Sequence, residues 1–245
     1  MALLQAEAIE VRFGGLHALK GVDLEVTAGG ITGLIGPNGA GKTTFFNVVC
    51  GLQSPTSGRV LIEGEDVGKL KAHRRARLGI GRTFQRLEVF TSMTVLENVL
   101  TGAEIRKKWS RDGSKPQEVA EEVLTRLHIE DYAQERADSL PTGLLRIVEL
   151  GRALATRPRL LLLDEPSSGL NQSESSLLAA LLKAEAEAGL GVLLVEHHIE
   201  LVMEVCRDIF VLDFGSILAH GTPDVIQNNE DVQRAYLGKG THDAA

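Results

Sequence analysis

Two cysteines in 245 residues give this chain no disulfide framework, and the two lack the spacing of a metal pair. Cys50 and Cys206 lie in apolar stretches and read as buried free thiols. Aromatic residues are scarce at 4%, in a chain otherwise of ordinary globular composition that is long enough to bury a sizeable core. There is no long basic run, and the formal charge is −7. That argues against a dedicated nucleic-acid binder, because neutralising phosphates takes clustered Lys and Arg, although a local patch could hide in an acidic total. No window approaches the ~20 apolar residues that cross a bilayer. The start, Met1-Ala2-Leu3-Leu4-Gln5, has no basic segment leading into an apolar one, so no secretory signal is expected. Repeats and low-complexity tracts are missing too. These absences lead to the expectation of a soluble, cytosolic protein.

What is present is an alternation of strands and helices. Residues 8–13 and 22–26 are expected as strands; in the second, Val22, Leu24 and Val26 alternate with Asp23 and Glu25. A turn at Gly29-Gly30 leads to an apolar run over 31–35, and a helix is expected over 43–49, stopped by Gly51. Helices are expected over 93–100, 117–127 and 144–155; Val119, Val123 and Leu127 recur every four residues as one stripe. Residues 106–115, polar and charged, read as an exposed loop. Strand character returns over 160–164, with a helix over 173–188, a strand over 192–195 and a helix over 199–206. A closing hairpin over 209–212 and 217–219 follows, then a helical tail from 223 to 237. This order implies a parallel sheet with helical crossovers, interrupted by a helical insertion over about 86–155.

The loop between the third strand and its helix, Gly36-Pro37-Asn38-Gly39-Ala40-Gly41-Lys42-Thr43, fits the phosphate-binding pattern G-x-x-x-x-G-K-[ST]. Glycines let the backbone curl so that successive N–H groups face phosphate oxygens, and the helix start adds partial positive charge. Lys42 is placed to reach terminal phosphates and Thr43 to offer a hydroxyl to Mg²⁺; the rest of the loop and Thr44 are candidate nucleotide contacts. Far along the chain, Leu160-Leu161-Leu162-Leu163-Asp164-Glu165 is a buried strand ending in two acids, at the end of the sheet where ligands bind. Asp164 suits the metal shell and Glu165 the polarising of a water. Together they supply what phosphoryl transfer requires.

Between and beyond these elements the sequence resembles the ATP-binding cassette family over nearly its whole length. Arg82-Thr83-Phe84-Gln85 resembles the family's Q-loop, which implies that Gln85 reaches Mg²⁺ and the attacking water. Leu194-Val195-Glu196-His197 resembles the strand before the switch histidine, giving His197 a contact with the γ-phosphate and leaving His198 as a surface residue at a helix start. Phe13 falls where the family stacks an aromatic on adenine, and Ser168-Gly169-Leu170-Asn171 resembles the loop that touches a second subunit. The signature that closes over a partner's ATP departs from the family pattern. Here it is Leu140-Pro141-Thr142-Gly143-Leu144, with Pro141 in place of serine and Leu144 in place of glutamine. Leu140, Thr142 and Gly143 remain candidate nucleotide contacts, and Thr142 could supply the missing hydroxyl.

The resemblance implies one ABC ATPase domain over 1–245. Residues 1–85 and 156–220 would form an α/β core lobe with a mixed, partly antiparallel sheet, 86–155 a helical subdomain and 221–245 a tail. Phe13-Gly14-Gly15-Leu16, residues 93–99, Gly221-Thr222-Pro223 and Ala235-Tyr236-Leu237-Gly238 resemble the branched-chain amino-acid importer branch, its longer, G-type ATPase in particular. ATP and Mg²⁺ are the implied cofactors. The implied partners are membrane permeases, a second ATPase and, indirectly, a solute-binding protein, and the implied location is the cytoplasmic face of the plasma membrane. Urea, amide or lipid-export systems use similar ATPases. A soluble role in DNA repair or translation would call for a coiled coil, a zinc insertion or a second cassette, and a silent subunit would have lost Lys42, Asp164, Glu165 or His197.

Overall fold

The computed structural model describes residues 2–237. Two long strands, β1 (Ala2–Phe13) and β2 (Leu16–Thr27), form an antiparallel hairpin joined on the far side of β1 by β4 (Ser57–Ile62) and β5 (Glu65–Asp66). Both hairpin strands run well past their expected bounds. At Ala8 the ladder bulges, with φ of 47° and a register shift between Ala6 and Ile9, and the freed Ala8 N–H donates to Asp23 Oδ1 at 2.8 Å. The bulge breaks the period-2 pattern that a sequence reading follows.

The second sheet has the order β10-β9-β3-β8-β7-β6. Here β3 (Ile31–Ile35), β6 (Ile80–Arg82), β7 (Leu160–Asp164), β8 (Gly191–Val195) and β9 (Asp208–Asp213) are parallel, and β10 (Ser216–Gly221) is antiparallel to β9. Successive residues of these strands face two different cores. Leu160, Leu162, Leu193 and Phe210 pack toward the hairpin sheet and α1 (Lys42–Cys50), whose Phe45 and Phe46 are fully buried. Leu161, Leu163, Leu194 and Ile209 pack toward the helices on the other face. A sheet covered on both faces reads as an unbroken apolar run, which is why Leu160-Leu161-Leu162-Leu163 shows no alternation.

α2 (Ala72–Arg77) precedes β6. Between β6 and β7 lie α3 (Val95–Lys107), α4 (Pro116–Arg126) and α5 (Thr142–Leu154). α3 begins at a capping box between Thr94 and Glu97 and extends through Lys107, so the expected loop over 106–115 starts two residues later. α6 (Gln172–Glu187) starts at a second capping box, Asn171 with Glu174, and α7 (Ile199–Val205) follows β8. The expected tail helix is broken into α8 (Pro223–Gln227), α9 (Glu230–Val232) and one π-helical turn, Gln233–Leu237. The rest of the expected tail segment, residues 238–245 with Gly238, lies outside the described residues. Cys50 and Cys206 are both free and buried, and burial pushes the Cys206 thiol up to about 12. Among the described residues no helix is long and apolar enough to cross a membrane.

Candidate functional site

The loop from β3 to α1 lies at the carboxyl end of the parallel strands. At Gly36 φ is 151°, and a Cβ would collide with the Leu212 carbonyl, so the first position of the motif tolerates no side chain. α1 carries no side-chain cap, leaving its first N–H groups free for an anion. Lys42 is buried and folds back on the loop, its Nζ donating to Gly36 O at 2.7 Å and Pro37 O at 3.0 Å. Burial lowers its pKa, while the nearby Glu165 and Asp164 carboxylates work in the opposite direction.

Asp164 closes β7 and Glu165 begins the turn after it with φ of 49°, a conformation that costs a non-glycine residue energy. The backbone there is tied down by Glu165 N–H on Val195 O at 2.8 Å. Both oxygens of Glu165 are engaged by residues remote in sequence. Gln85 Nε2 donates to Oε2 at 2.9 Å, and His197 Nε2 lies 2.6 Å from Oε1. Gln85 and His197 of the expected catalytic set therefore meet at the Glu165 carboxylate, while Lys42 bonds the carbonyls of its own loop. Phe13, Asn38, Gly39, Gly41, Lys42, Thr43, Thr44, Gln85 and Glu165 line one cleft of about 430 Å³.

Asp164 is paired with Arg82, whose guanidinium lies 3.4 Å from Oδ2, bonds Asn47 Oδ1 at 2.9 Å and covers the Phe84 ring at 5.0 Å. Burial raises the Asp164 pKa; Arg82 opposes that shift, whereas Glu165 adds to it. Thr43, Asp164 and Gln85 offer hydroxyl, carboxylate and amide oxygens, a hard donor set suited to Mg²⁺ that keeps water and phosphate ligands as well. Among the described residues no group of three or more His, Cys, Asp or Glu could hold a metal without such help.

The signature residues stand apart. Pro141, in extended conformation, is the N-cap of α5 and gives no side-chain cap; Thr142 follows it, and Gly143 is buried against the Glu174 side chain. Leu140, Thr142 and Gly143 do not line the cleft that holds the phosphate loop.

Further contacts that support the site are not legible in the sequence. Glu196 is almost fully buried and accepts N–H bonds from Ser167 at 2.7 Å, His197 at 3.0 Å and His198 at 3.4 Å, joining the turns after β7 and β8. His198 is exposed at the start of α7, as expected, but its Nδ1 also meets Ser167 Oγ at 3.0 Å. From α5, the buried Arg146 donates to Phe84 O at 3.4 Å and Gln85 O at 3.0 Å and pairs with Glu149 at 3.2 Å, and Glu149 accepts the Glu88 N–H at 3.3 Å. An Arg and a Glu three apart on a mostly apolar helix are the available sequence signal for this clamp.

Known proteins resemble this chain along nearly its whole length. A family model described as ABC transporter matches residues 19–168, and one described as branched-chain amino acid ATP-binding cassette transporter matches residues 216–242. The chain is 39% identical over 250 residues to the high-affinity branched-chain amino acid transport ATP-binding protein BraF of Pseudomonas aeruginosa, covering 97% of this chain and 98% of that one. It is 36% identical over 239 residues to the lipopolysaccharide export system ATP-binding protein LptB of Haemophilus influenzae, with 98% of each covered. The crystal structure of the ADP conformation of an ATP-binding cassette from an ABC transporter superposes with a TM-score of 0.87 at 30% identity, covering 97% of this chain and 99% of that one.

Proposed function

The chain belongs to the ABC transporter family of ATP-hydrolysing proteins, and on that premise we propose that it powers import of branched-chain amino acids or similar small solutes. In this reading Lys42 and the loop amides hold the phosphates, and Thr43, Asp164 and Gln85 hold Mg²⁺. The metal, when bound, neutralises developing charge on the phosphates. Glu165 orients the attacking water, with Gln85 and His197 fixing its carboxylate. The observation that carries the chemistry is the convergence of Gln85 and His197 on the two oxygens of Glu165. The importer relative at 39% identity and the match over residues 216–242 favour amino-acid import; the lipopolysaccharide-export relative at 36% supplies the second reading.

Docking on a permease at the inner face of the membrane has a surface to use. A groove of about 370 Å³ beside the Q-loop is lined by Phe84, Phe90, Ile105 and Arg152, with Phe90 and Ile105 about half exposed. Purifying the tagged chain from detergent-extracted membranes of its own cells should bring down permease-type subunits and a second ATPase, and the assembly in vesicles should accumulate labelled leucine. Vesicles that extrude lipid instead would reverse the direction assigned here.

The reading also gives Pro141 and Arg146 definite roles. If the signature closes over a partner's nucleotide, Pro141→Ser adds a hydroxyl for the phosphate as well as a better N-cap. One charge-assisted hydrogen bond corresponds to a gain of roughly 10- to 150-fold in ATP-driven dimerisation, to be read by light scattering. An unchanged dimer constant would retire the idea that this signature is weakened. Arg146 is a positioning residue for Gln85. Arg146→Lys keeps the charge but loses the fork, so kcat should fall roughly tenfold or more while the KM for ATP stays within about twofold. Adding Gln85→Ala should cost little further; multiplying losses would show that the two act separately.

A further inference from the structure

The family resemblance places one aromatic that lines the nucleotide cleft, Phe13, on the adenine, and leaves a second without a role. Phe214 lines the same cleft and is 79% exposed, the most of any large hydrophobic side chain among the described residues. It forms with Gly215 the two-residue turn between β9 and β10, and both residues have positive φ, 41° and 82°. Positive φ at both positions marks the mirror-image hairpin turn that matches strand twist, whose first position suits Asn, Asp or Gly. A bulky ring there is strained. Phe214 therefore goes against turn chemistry and against burial at once, and such local violations concentrate at functional sites.

The turn is firmly anchored. Gly215 N–H donates to Ala40 O, within the phosphate loop, at 2.9 Å, and Gly215 O accepts from Lys20 N–H of β2 at 2.8 Å. A Cβ at Gly215 would sit 2.6 Å from Ala18 O, so only glycine lets the turn seat against β2. The Phe214 ring is thus carried on a support fixed to the loop that would hold the phosphates. We propose that Phe214 is a second aromatic contact for the nucleotide, presenting its face to the purine base while the phosphates occupy the loop at residues 36–43. This rests on the ATP reading above and extends it to a residue that lies outside every motif in the sequence. Because stacking requires only a flat π face, the contact favours a nucleoside over a bare polyphosphate.

Phe214→Asn separates the possibilities, since it supplies the residue that the turn prefers while removing the ring. The purified chain should then unfold at or above the wild-type temperature. Its affinity for Mg²⁺-ATP should drop about three- to tenfold, the worth of one aromatic contact, and its affinity for inorganic tripolyphosphate should not change. Phe214→Trp should restore ATP binding. Unchanged ATP affinity in Phe214→Asn overturns the proposal. Equal losses for ATP and tripolyphosphate overturn it as well, because they place the effect in the phosphate loop. A wild-type chain that binds neither ligand brings down the ATP reading itself, and this inference with it, which keeps the two failures distinct.

Discussion

Glu165→Gln should leave the protein able to bind Mg²⁺-ATP yet lower its turnover by roughly 10²- to 10⁴-fold, the usual contribution of a positioned acid or base. Glutamine has the same shape, so the turn, its φ of 49° and the bond to Val195 O have no cause to change. What changes is the partner of the His197 and Gln85 nitrogens. An amide has one acceptor oxygen where the carboxylate has two, so one of the two contacts at 2.9 and 2.6 Å must be lost or reversed. The negative charge that polarises the water is gone too. Steady-state phosphate release, measured beside ATP binding by calorimetry, tests both halves. A variant that hydrolyses ATP within tenfold of wild type would remove Glu165 from the chemistry, and one that no longer binds ATP would make it a structural residue.

Lys42→Ala should give the opposite pattern, with affinity lost first. In the structure the ammonium bonds the carbonyls of its own loop, Gly36 O and Pro37 O. Bound phosphate oxygens would replace these neutral acceptors with charged ones, each such bond being worth roughly 1.5–3 kcal/mol. Losing two of them weakens binding by about 10²- to 10⁴-fold. Burial lowers the lysine pKa while Glu165 and Asp164 favour its charged form, so the alanine variant also leaves those two carboxylates without their nearest loop cation. Titration calorimetry at millimolar ATP reads the loss directly. Retention of micromolar affinity would mean that the loop amides alone hold the phosphates. The pair of results is diagnostic as a set: Glu165→Gln binds without turnover, whereas Lys42→Ala fails to bind.

The sequence carried some of these groups openly and hid others. The loop at residues 36–43 is legible because its constraint is local: Gly36 has φ of 151° and no room for a Cβ, and a lysine must follow the last glycine at once. The apolar run before Asp164 is legible because both faces of its strand are buried. β1 and β2 were seen only in part, since the bulge at Ala8 shifts the alternation. β4, β5, α2 and β6 carry too weak a pattern to have been assigned. Arg82 and Glu196 give no sign of their partners, and the i,i+3 spacing of Arg146 and Glu149 shows their pairing but not their hold on residues 84–88, because those bonds reach atoms tens of residues away.

The amino-acid order by itself determined the phosphate loop, the acids that end β7, the type of most elements and the family, because torsion limits and burial period act between near neighbours. Only the tertiary structure decided that Gln85 and His197 converge on Glu165, that Arg82 pairs with Asp164, that α5 grips the backbone around Gln85, and that a strained Phe214 stands at the cleft. Those are contacts between segments that are distant in the chain and come together only when the two cores pack and the parallel strands fall into register.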